Sequence, residues 1–103
     1  MAGNLNFVSI GAGLYHSCGV THEGRAYCWG YNPHGQLGDG STSDQILPVA
    51  VLQGGLTFRS IAPASLHTCA VTTAGGVYCW GYNYYGQLGD GSTTDRSTPV
   101  QVP

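Results

Sequence analysis

Lysine is absent from this 103-residue chain, glutamate occurs once, and charged residues together make up 8% of it. The formal net charge of −2 leaves no basic footprint for nucleic acid or for an anionic membrane surface. No apolar run is long enough to span a bilayer, and the start lacks the ordered regions of a secretory leader. Met1-Ala2-Gly3 therefore reads as a cytosolic start, a trimmed piece or a mature domain given a new Met. Apolar residues nowhere recur at helical spacing, which excludes a bundle of amphipathic helices. Catalysis finds little to use either. There is no nucleophile elbow and no acid–base pair, so neither an enzyme nor a cofactor is expected.

What the chain does have is itself, twice. Sliding the sequence by 51 residues superposes 28 identical pairs out of 52 without a gap. Residues 1–51 form one repeat and 52–103 the other, with Tyr27-Cys28-Trp29-Gly30-Tyr31-Asn32 returning as Tyr78 to Asn83. A period near 50 residues belongs to propeller blades and solenoids, whose units cannot bury their apolar faces alone. Each half is also close to the length at which one core barely offsets chain entropy.

Each repeat reads as four short strands. The first lies around Phe7–Ile10, the second spans Ser17–Thr21, the third Ala26–Tyr31 and the fourth Pro48–Val51. In the copy they are Phe58–Ile61, Thr68–Thr72, Val77–Tyr82 and Pro99–Val102. The three-residue loop His22-Glu23-Gly24 fits a type I turn closed by a left-handed glycine. That loop pairs Thr21 with Arg25, and the register then runs outward to set Cys18 opposite Cys28 and Cys69 opposite Cys79. Alternation makes both cysteine pairs non-hydrogen-bonded, the closer of the two cross-strand spacings. Opposed cysteines on adjacent strands favour a disulfide or two buried thiols over a metal site, whose ligand pairs sit closer in sequence. Disulfides would imply an extracytoplasmic origin. The other hairpin face sets Tyr27 over Gly19 and Trp29 over Ser17, with Tyr78 and Trp80 in the copy, so both faces are expected to be covered by neighbouring blades.

The glycine-rich link from Gly35 to Thr42 lacks the Lys-Ser/Thr ending of a phosphate loop and precedes no helix. It reads as a turn-rich connection anchored on Leu37, with Leu88 in the copy. Asp39, Asp44, Asp90 and Asp95 lie among Gly, Ser and Thr, as turn-capping carboxylates do, and match no calcium loop. His16 and His67 occupy equivalent places on successive repeats; each is expected to orient its loop through the backbone, and around a ring they would form a circle able to hold a metal or an anion. Pro33-His34 becomes Tyr84-Tyr85 in the copy. Exposed tyrosines suit recognition surfaces, so these four positions are the candidate ligand contacts, for a protein or a sugar.

The pattern His-Ser/Thr-Cys-x-Val-Thr-x-x-Gly-x-x-Tyr-Cys-Trp-Gly-Tyr-Asn-x-x-Gly-Gln-Leu-Gly-Asp-Gly, closed by Pro-Val-x-Val, resembles the repeat of the regulator of chromosome condensation family. The resemblance covers the whole chain twice and is most similar to bacterial forms of the repeat with paired cysteines. It implies an all-β fold of β-propeller blades, each of four antiparallel strands, two per chain. Complete members typically have seven blades. The expected partner is therefore the chain itself, as a trimer giving six blades or a tetramer giving eight, because a heterologous contact must close or grow without limit. No tail or inserted loop carries over the founding member's exchange activity.

Overall fold

The computed structural model describes residues 6–103. Met1-Ala2-Gly3 lies outside the described residues. Among the described residues eight strands form two sheets: β1 (Phe7–Ala12), β2 (His16–Thr21), β3 (Ala26–Gly30) and β4 (Gln45–Ala50), then β5 (Phe58–Pro63), β6 (His67–Thr72), β7 (Val77–Gly81) and β8 (Arg96–Gln101). Each sheet is a four-stranded antiparallel meander in chain order. No helix among the described residues is long and apolar enough to cross a membrane.

The central hairpins follow from their turns. Thr21 N–H donates to the Arg25 carbonyl at 2.9 Å and Gly24 N–H to the Thr21 carbonyl at 3.0 Å. Gly24 sits at φ +84°, the left-handed region in which a β-carbon is disfavoured. The register that this turn starts sets Cys18 against Cys28 and Cys69 against Cys79. Both pairs are disulfides, with Cα atoms 4.1 and 4.0 Å apart, the close spacing of a non-hydrogen-bonded pair.

The fourth strand departs from expectation. It begins at Gln45 and Arg96 rather than at Pro48 and Pro99, with a register shift opposite β3 and β7. Proline lacks a ladder donor, but at a sheet edge only one side of the strand needs partners. Pro48 and Pro99 are therefore carried within a strand rather than starting one.

The two sheets pack face to face, with β5 against β1 and β2. Between them lies one core. The first sheet and its following loop contribute Cys18, Val20, Ala26, Cys28, Leu37 and Val51; the second contributes Phe58, Ile61, Ala70 and Trp80. The first disulfide thus lies inside the junction between blades. Each large side chain removed from water there stabilises the pair by about 1.5–3 kcal/mol.

Candidate functional site

Equivalent positions in the two repeats have unequal burial, and the inequality outlines the site. On the leading face of the second blade, Phe58 is buried, Ile61 is 7% exposed and Trp80 is fully buried. Their counterparts on the first blade are uncovered: Ile10 is 63% exposed, and Phe7 and Trp29 are half-buried. The trailing faces show the reverse. Cys18, Val20 and Ala26 are buried, whereas Cys69 and Val71 are half-buried and Val77 is exposed. Both hairpin faces are therefore covered only at the junction inside the chain. Each end of the molecule presents one half of that junction.

The junction is built from small spaces as much as from large rings. A β-carbon on Gly38 would lie 2.6 Å from Trp80 Nε1, so the indole rests directly on the backbone of the glycine-rich link. That link supplies Leu37, which is fully buried, and Gln36, whose carbonyl accepts a hydrogen bond from Thr68 Oγ1 at 2.7 Å. Thr68 has one hydroxyl proton, and Gln36 takes it. His16 Nε2, 2.7 Å from the same oxygen, must then be the donor, which fixes the Nε2–H tautomer. Its Nδ1 is buried without a partner, and burial, reinforced by His67, lowers the His16 pKa to about 4. The expected role of His16, orienting its own loop through the backbone, is thus replaced at the side chain by a hydroxyl on the next blade. Burial also lowers the pKa of His67. Of the remaining packing candidates, Leu88 is buried, and Tyr27 and Tyr78 are half-buried with their rings edge-on to Phe7 and Phe58.

Asn32 and Asn83 shape the links. The Asn32 side-chain amide donates to the carbonyls of Ser41 and Ser43 at 3.1 and 2.9 Å, and its Oδ1 accepts from Leu37 N–H at 2.9 Å. Asn83 repeats these bonds with Ser92, Thr94 and Leu88. Asp39 Oδ1 accepts from the backbone and hydroxyl of Ser41, and Asp90 does the same for Ser92. The Ser92 hydroxyl and N–H, with Arg96 and Asn83, hold the Asp90 carboxyl well below the usual carboxylate range, against a smaller opposing effect of burial. These asparagines were missed in the sequence, although a polar residue kept in both copies inside the most strongly repeated block is a legible signal.

The proposed contact residues gather on one rim. The rings of His34 and Tyr82 lie 4.6 Å apart across the blade junction, and His34 Nδ1 is 3.0 Å from Asp95 Oδ2. Tyr84 lies 6.3 Å from Tyr82 and 4.9 Å from Tyr85, and both are strongly exposed, at 63% and 79%. Pro33 is exposed beside them. Burial, with Tyr85, Asp95 and Tyr84, raises the Tyr82 pKa. Among the described residues no group of three or more His, Cys, Asp or Glu is placed to hold a metal ion.

Comparison with known proteins agrees with this architecture. The regulator of chromosome condensation (RCC1) repeat matches residues 23–71 and 74–103, and a second form of the same repeat matches 7–36. The ultraviolet-B receptor UVR8 of Arabidopsis thaliana is 42% identical over 99 residues, which are 95% of this chain but 22% of the receptor. The probable E3 ubiquitin-protein ligase HERC4 of Homo sapiens is 34% identical over 101 residues, 93% of this chain and 9% of the ligase. Among solved structures, human WBSCR16 superposes with a TM-score of 0.89 at 25% identity, over 99% of this chain and 26% of that one. Prp20p of Saccharomyces cerevisiae superposes at 0.87 and 24% identity, over 100% and 27%. The chain thus spans about a quarter or less of the relatives it matches. It belongs to the regulator of chromosome condensation (RCC1) repeat family, as a pair of that family's four-stranded blades.

Proposed function

We propose that the chain is a non-enzymatic propeller building block whose ring is completed by copies of itself. One observation carries this reading: its two ends are the two halves of its own internal junction. Phe7, Ile10 and Trp29 on one end stand where Phe58, Ile61 and Trp80 are covered inside the chain. Cys69, Val71 and Val77 on the other stand where Cys18, Val20 and Ala26 do the covering. The polar link is repeatable too, since Ser17 brings a hydroxyl to the place of Thr68 and could receive His67 Nε2–H from another copy. Exposed apolar faces and open sheet edges of this kind are otherwise an aggregation hazard. Head-to-tail contact closes at three copies with six blades or four with eight.

Native mass spectrometry and light scattering, with and without reductant, test this directly. A single species of three or four chains is the expected result. A monomer at every concentration, or an open-ended distribution of sizes, would overturn it and leave the ring to be completed by further repeats of a longer chain.

A second reading is a protein-binding module, with the exposed Tyr84 rim as its contact face. Prp20p has binding properties towards Gsp1p and histones, and yeast RCC1 has been solved bound to Kap60. Protein ligands are therefore the better first screen than glycans. Tyr84→Ala should abolish any such binding while leaving the native mass unchanged.

A further inference from the structure

Tyr85 is the most exposed aromatic ring of the rim, at 79%. Its counterpart in the first repeat, His34, is put to use. His34 reaches across the internal junction, places its ring 4.6 Å from Tyr82 and binds Asp95 Oδ2 at 3.0 Å. The two loops that carry these residues are held alike. His34 N–H donates to Gln36 Oε1 at 2.9 Å and Tyr85 N–H to Gln87 Oε1 at 2.9 Å. The turns that follow close through Gly35 N–H on the Asn32 carbonyl at 3.2 Å and Gly86 N–H on the Asn83 carbonyl at 3.0 Å. Tyr85 thus leaves the backbone from a matching position on the trailing edge of the second blade.

The receiving side is duplicated as well. Asp95 Oδ1 accepts from Asn83 N–H at 2.9 Å, which leaves Oδ2 for His34. Asp44 Oδ1 accepts from Asn32 N–H at 2.8 Å, and among the described residues no side chain donates to its Oδ2. Tyr31, the counterpart of Tyr82, is exposed and backed by Tyr15 at 5.4 Å. The first blade therefore carries an aromatic ring and an acceptor that no other blade meets among the described residues, on the edge opposite Tyr85.

Resting on the self-assembly reading, we infer that Tyr85 is the lock between copies: its ring packs on Tyr31 and its hydroxyl donates to Asp44 Oδ2 of the next copy. The ring then alternates two junctions, one closed by His34 within each chain and one by Tyr85 between chains. The phenol carries its donor farther from the backbone than imidazole does, which suits a seam that no covalent linker draws together. The lock also sets which surfaces meet, since His34 and Tyr85 each have a dedicated carboxylate.

The test is a dilution series of the intact chain followed by native mass spectrometry. An aromatic pair and one hydrogen bond to a charged acceptor together make Tyr85→Ala shift the dissociation midpoint by ~10-fold or more to higher concentration. Tyr85→Phe and Asp44→Asn should each give part of that shift, and the double variant no more than Tyr85→Phe alone, because Phe removes the bond that Asn weakens by discharging its acceptor. Tyr85→His, which keeps an aromatic ring and a donor of shorter reach, should fall between the parent and Tyr85→Ala. A parent chain that stays monomeric overturns the self-assembly reading itself. A parent that assembles, with Tyr85→Ala and Tyr85→Phe dissociating at the parent's midpoint, overturns the lock while self-assembly stands. If Tyr85→Ala does not fold, the comparison of Tyr85→Phe with Asp44→Asn decides.

Discussion

Gly38 has no side chain where Trp80 needs room. A methyl there would meet the indole at 2.6 Å, at a φ of +72°. Gly38→Ala should therefore cost ~2 kcal/mol or more, from steric conflict added to left-handed strain. Gly89→Ala has the same φ of +72° but only Val102 nearby, at 3.3 Å. It should cost about 1 kcal/mol in an isolated chain and much more in an assembled ring; denaturant melts of both variants at low and high concentration check this. Asn32 is likewise fully buried and bonded throughout. Asn32→Ala strands buried carbonyls and an amide, and is expected to destabilise by ~2–4 kcal/mol in a urea titration. His16 sets the response to acid. Its native pKa of about 4 lies below the ordinary histidine value of 6.5, so the unfolded chain binds a proton that the native chain refuses. Stability should be level above about pH 6.5 and fall as pH drops from there towards 4, with His67 acting in the same direction and Asp90 adding its loss at lower pH still. Thermal melts from pH 8 to 4 should show a shallower fall for His16→Gln. The partners of Gly38 and His16 cannot be read from neighbours in sequence, since Trp80 and Thr68 come from the other repeat.

At the scale of elements the hairpin is the most legible part. Turn, register and cysteine pairing of β2 and β3 involve a contiguous stretch, and a three-residue loop ending in Gly24 suffices to set Cys18 against Cys28. The disulfides shorten the unfolded chain's freedom over short loops, and Cys18→Ala with Cys28→Ala should cost ~2–3 kcal/mol by calorimetry. Removing the second pair, Cys69 and Cys79, should disturb packing within the chain less and assembly more, because its face is the uncovered one. β4 and β8 were legible as strands but not in their starting points. Their pairing to β3 and β7 crosses a long link, and edge position, a property of the sheet, is what lets Pro48 and Pro99 sit inside them.

At the scale of the molecule the unit of folding is the junction rather than the blade. A single repeat leaves Val20 and Ala26, or Ile61 and Trp80, without the facing blade that buries them, so residues 1–51 alone should show no cooperative melt and dispersed amide signals should be absent from their proton spectrum. If copies close a ring, binding raises apparent stability by mass action, and the melting temperature of the whole chain should climb with protein concentration rather than stay fixed. Sequence by itself determined the repeat, the four-strand meander, the hairpin register and the family, because each rests on local turn chemistry or on a pattern spread along the chain. The tertiary structure alone decided that the first disulfide belongs to the inter-blade core, that Gln36 and His16 meet at Thr68, and that His34 reaches Asp95. Those contacts join residues 32, 52 and 61 positions apart. Each copy carries both a glycine-rich link and a tryptophan, and only packing two faces together tells which copy gives its link and which gives its tryptophan.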